Sequence, residues 1–85
     1  MPVFSISYDL IKRVDYESLW VELERMGAER FLVSQWAVRS ADGVTASALR
    51  DQLSRFIDDH DRLFVTRIDN ADYAGMNLLM KLNAM

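Results

Sequence analysis

Near the N-terminus, Phe4, Ile6 and Tyr8 alternate with Ser5 and Ser7, and Asp9 closes the run. Apolar residues at a period of two define a strand that buries one side only, so its sheet needs a layer packed against that side. The next segment changes period. Tyr16, Leu19, Trp20, Leu23 and Met26 recur at helical spacing, with Asp15 as the expected N-cap and Gly27 as the left-handed stop. Trp20 on this stripe is expected in the core, while Glu17, Glu22, Glu24 and Arg25 fall mainly on the solvent side.

The stretch 28–40 is rich in β-formers and holds neither Pro nor Gly. It is long for one strand, so it reads as two, joined by a bend or tight hairpin at Ser34-Gln35. Ala41-Asp42-Gly43 is a turn signal. Thr45 or Ser47 caps a second helix in which Ala46, Leu49, Leu53, Phe56 and Ile57 keep the helical period through Asp58. Residues 62–68 form the last strand. The succession predicts an α+β, ferredoxin-like βαββαβ domain, an antiparallel sheet with both helices on one face. Its core spans about residues 3–68. The tail 69–85, with Tyr73, Met76, Leu78, Leu79, Met80, Leu82 and Met85, is too apolar to hang free. It is expected as a short helix or an extra strand, docked on its own sheet or a partner's.

Eighty-five residues make one domain, 1–85. A hydrophobic content of 51% exceeds what a small solvated monomer needs, which points to a homodimer. One His and no Cys argue against a structural zinc site. Apolar runs are short and broken by charge, so no membrane span is expected. The N-terminal residues do not read as a signal peptide, and a cytoplasmic location is expected. The net charge of −3 provides no general attraction for nucleic acid, so any such binding must come from clustered cations.

Asp9 is the candidate site residue. A carboxylate at the end of a strand is rigidly mounted and can offer oxygen to a divalent cation; equally, it can order the turn into the first helix. One Asp cannot hold Mg²⁺ unaided, but a two-fold axis beside it would bring in a second. Such a pair could share a cation that polarises a scissile phosphate, with Lys12, Arg13 or Arg30 offsetting the developing charge. If Lys12, Arg13, Arg30 and Arg39 share one end of the sheet, they give salt-sensitive phosphate binding. Asp58-Asp59-His60-Asp61 reads as a solvated connector. Trp36 can stack a base or fill an interface, packing being the simpler role.

Tyr8-Asp9 at the end of the first strand, the helix ending at Gly27, and the phrase Arg30-Phe31-Leu32-Val33-Ser34-Gln35-Trp36 together resemble the CRISPR-associated protein two family. That family writes the phrase as arginine, three mixed residues, serine, any residue and an aromatic. A second helix and Asp61-Arg62-Leu63-Phe64-Val65 complete a likeness over residues 3–68. The resemblance implies a ferredoxin-like homodimer that is either a Mg²⁺- or Mn²⁺-dependent endonuclease on RNA or DNA, or a non-catalytic scaffold holding DNA beside a spacer integrase. It implies Asp9 as the metal-ligating and catalytic acid, with Tyr8 and Ser34 as further catalytic residues. Lys12, Arg13, Arg30 and Trp36 would then be nucleic-acid-binding residues. The acidic balance and the tail after Ile68 depart from the family pattern. The virulence-associated protein D ribonucleases, which share the fold, suggest a ribonuclease toxin as a further alternative.

Overall fold

The computed structural model describes residues 1–11, 16–69, 72 and 74–79. The chain runs β1 (Val3–Asp9), α1 (Glu17–Arg25), β2 (Glu29–Leu32), β3 (Gln35–Arg39), α2 (Ala46–Leu53), a 3₁₀ turn (Ser54–Phe56) and β4 (Arg62–Arg67). The four strands form one antiparallel sheet in the order β2-β3-β1-β4. The fold is therefore a small α+β domain with two helices. Among the described residues, no helix is long and apolar enough to cross a membrane.

Register explains which face is covered. Ile6 pairs with Trp36 and Val65, and Phe4 pairs with Val38, so these side chains share one face of the sheet. They join Tyr8, Leu19 and Leu23 of α1 and Leu49 and Leu53 of α2 in a single core cluster. Phe4, Ile6, Leu19, Leu23, Leu53 and Val38 are its fully buried side chains. Each such aliphatic or aromatic group stabilises the fold by about 1.5–3 kcal/mol through burial.

The helix ends show how the sequence stops each element. Gly27 has φ +80°, the left-handed conformation that residues with a Cβ rarely adopt. Ala28 N–H donates to the Leu23 carbonyl and Gly27 N–H to that of Glu24, both at 3.0 Å, the double bond of a Schellman stop. At the other helix, Thr45 Oγ1 accepts the Ala48 N–H at 3.2 Å as its N-cap.

Several expectations need correction. The N-cap position of α1 is Tyr16, whose side chain makes no capping bond, and Asp15 lies outside the described residues. The second helix stops at Leu53 and not at Asp58: Ser54–Phe56 tightens to 3₁₀ and Ile57 turns extended at φ −132°. Ile57 keeps the apolar period because it packs against the core from that extended segment. The hairpin turn falls at Val33-Ser34, within one residue of the expected bend. Trp20 is 37% exposed at the rim of the helix layer, not fully in the core.

Glu22, expected in solvent, is only 8% exposed. Arg25 Nε and Nη2 donate to its two carboxylate oxygens at 2.6 Å, and Gln52 Nε2 of α2 donates to Oε2 at 2.8 Å. This carboxylate ties the two helices together. The Arg25 hydrogen bonds, then the Gln52 bond, hold its pKa down at about 2 against the opposing effect of burial.

The described part of the tail passes the outer edge of β2, where Leu79 N–H donates to the Phe31 carbonyl at 3.0 Å. That contact covers part of an edge strand with the chain's own tail. Tyr73, Met80, Leu82 and Met85 lie outside the described residues.

Candidate functional site

Asp9 ends β1 opposite Arg62 of β4, its registered neighbour. Their side chains form a loose ion pair at 3.8 Å, with Asp9 69% and Arg62 74% exposed. Two shallow grooves meet at this strand end. One, of about 420 Å³, is lined by Ser7, Asp9, Ser34, Gln35, Arg62 and Phe64, with Tyr8 and Leu63 beneath. The other, of about 400 Å³, is lined by Tyr8, Asp9, Leu10, Trp20, Arg30, Val33 and Ser34. Asp9 and Ser34 belong to both, and Ser34 is exposed. Ser34 is held there because its carbonyl accepts the Tyr8 N–H at 3.2 Å, stitching the β2–β3 turn to the end of β1. Beside it, Gln35 Nε2 donates to Ser7 Oγ at 2.6 Å.

Tyr8 is buried, and its hydroxyl accepts two indole N–H groups, from Trp36 Nε1 at 2.9 Å and Trp20 Nε1 at 3.2 Å. The Arg30 guanidinium lies 5.0 Å from the Trp36 ring centroid and 5.5 Å from that of Trp20, within cation–π range of both. Tyr8, Trp20, Arg30 and Trp36 thus form one cluster, built from β1, α1, β2 and β3. Trp36 is only 4% exposed and sits in the core cluster, so its ring is not available to stack a base; this corrects its expected place at a nucleic-acid interface.

The expected cations divide. Arg30 lies at the Asp9 end, whereas Arg39 pairs with Val3 at the far end of β1, about 20 Å away at strand rise. Lys12 and Arg13 lie outside the described residues. Arg62, which the sequence reading does not single out, forms the ion pair with Asp9. The signal that could have found it is the antiparallel pairing of the first and last strands.

Asp61 is a second residue misread from sequence. Its Oδ1 accepts the Ile11 N–H at 2.8 Å and the Tyr16 hydroxyl at 3.2 Å, and its Oδ2 accepts the Asp58 N–H at 2.9 Å. It fastens both ends of the β1–α1 connection instead of standing in solvent. Asp58, Asp59 and His60 are exposed, as expected of a solvated connector.

Asp9 supplies hard carboxylate oxygen of the kind Mg²⁺ and Mn²⁺ accept. Among the described residues of one chain, no group of three or more His, Cys, Asp or Glu is placed to hold a metal ion.

No protein-family model matches the chain. No solved structure matches it significantly.

Proposed function

We propose that the chain is a cytoplasmic, homodimeric domain of the ferredoxin-like class that acts on nucleic acid as a metal-dependent phosphodiesterase, akin to the CRISPR-associated protein two family. The element succession and the strand order β2-β3-β1-β4 support the fold reading. One observation carries the functional reading: Asp9 is exposed on a rigid strand end where two grooves meet, with Arg62 and Arg30 flanking it. An exposed apolar residue, Phe64 at 65%, sits in the groove of about 420 Å³ beside Asp9. Apolar surface beside a lone carboxylate supports a second copy docking there. Two Asp9 side chains then share the hard-oxygen site that one cannot make.

A bound Mg²⁺ or Mn²⁺ supplies polarisation of the scissile phosphate and a bound water of lowered pKa. The chain's own part is to hold phosphate with Arg30 and Arg62 and to present Asp9 on an immobile mount. In a cleavage assay on RNA and DNA with added metal, the wild type should cut and Asp9→Asn should not. Equal activity in both removes Asp9 from the chemistry.

The Asp9–Arg62 ion pair favours a second reading, a non-catalytic dimeric scaffold, because the guanidinium competes with a metal for that carboxylate. Metal-independent nucleic-acid binding with no cleavage in any metal would support the scaffold.

A further inference from the structure

Arg30, on the edge strand β2, is half-buried. Two indole rings fix its guanidinium, yet among the described residues no carboxylate pairs with it. Stacking on a ring leaves the in-plane N–H fork free to meet an oxyanion. Next to it, the Tyr8 oxygen already accepts two N–H groups, so its own proton is left to donate. Donation to that oxygen polarises the O–H and strengthens it as a donor. Arg30 and the largely buried Tyr8 both line the groove of about 400 Å³, with Asp9 beside them and the partly exposed Trp20 in its wall. That volume lies within the range of small-ligand sites, and an exposed indole is a stacking surface for a planar ring.

We infer that this groove binds a nucleotide through its phosphomonoester, with Arg30 and the Tyr8 hydroxyl on the phosphate and the base against Trp20. The ligand is a free mononucleotide or the 5′-phosphorylated end of a strand. The inference rests on the reading that the chain meets nucleic acid, but neither on metal nor on Asp9 chemistry.

Trp20 and Trp36 are the two tryptophans of the chain and both touch Arg30, so intrinsic fluorescence reports occupancy directly. The test titrates adenosine 5′-monophosphate, a 5′-phosphorylated single strand and the same strand with a 5′-hydroxyl, all in EDTA. The phosphorylated probes should change the emission saturably, and the 5′-hydroxyl strand should bind about tenfold or more weakly, the worth of a charge-assisted hydrogen bond. Binding of the mononucleotide identifies a small-molecule ligand, and binding of the strand alone identifies a strand end; either supports the site. Arg30→Gln should weaken binding by a similar factor, and Arg30→Lys should restore it only in part. Asp9 also lines this groove, so Asp9→Asn removes a like charge beside the phosphate and should bind the phosphorylated probes at least as tightly as the wild type even if it abolishes cleavage, which separates this inference from the catalytic one. Equal affinity for phosphorylated and 5′-hydroxyl strands overturns it, as does undiminished binding by folded Arg30→Gln. Should Arg30→Gln not fold, the comparison of strands on the wild type decides alone.

Discussion

Asp61 accepts the backbone N–H of Ile11 at 2.8 Å across fifty positions of sequence, and so fixes the chain just beyond Asp9 to the start of β4. Its further bonds to the Tyr16 hydroxyl and the Asp58 N–H make it the fastener between β1, α1 and the α2–β4 connection. Asp61→Ala should lower stability by about 1–2 kcal/mol, since it removes a charged acceptor from three donors, two of which can turn to water. Urea unfolding checks this: the midpoint should fall while the slope stays unchanged. An unchanged midpoint would mean that the connection holds itself.

Glu22 makes stability depend on acid. Its folded pKa, lowered from 4.5 to about 2 chiefly by the Arg25 hydrogen bonds, means that the unfolded chain takes up the proton first. The stabilisation is complete above pH 4.5 and is lost as pH falls from there through about 2. In Glu22→Gln this share of the acid sensitivity should disappear, so the melting temperatures of the two proteins should converge as pH drops. Parallel melting curves across that window would contradict the assignment.

Tyr8→Phe should be costly although it removes one oxygen. It leaves the Nε1–H groups of Trp36 and Trp20 without their acceptor beside the core, a loss of about 2 kcal/mol or more. Ser34→Ala, at an exposed turn, should stay within about 0.5 kcal/mol. Denaturant midpoints for the pair measure the contrast. Tyr8→Phe should also shift tryptophan emission, because both indoles change their surroundings.

Much of the fold was legible because its signals are local. Alternation at Phe4, Ile6 and Tyr8 marked β1, the stripe at Leu19 and Leu23 marked α1, and Gly27 marked the stop. What sequence hid depends on partners distant along the chain. Helical period alone puts Glu22 in solvent, because it does not reveal that Gln52 of the other helix reaches it. Ile57 prolongs the helical period past Leu53 because an apolar residue packs equally well from extended backbone. The candidate site divides the same way. Asp9 was visible as a strand-terminal acid, whereas Arg62 became its neighbour only through register. Trp36 offered an aromatic in a suggestive phrase, and the core claimed it.

On the proposed function, two chains pool their Asp9 carboxylates around one cation. Sedimentation equilibrium combined with Mn²⁺ titration tests it directly. The expected result is a particle of twice 9.8 kDa that binds one Mn²⁺ per two chains, with Asp9→Asn still paired but unable to bind the ion. A 9.8 kDa particle, or Mn²⁺ binding that Asp9→Asn leaves intact, would contradict it.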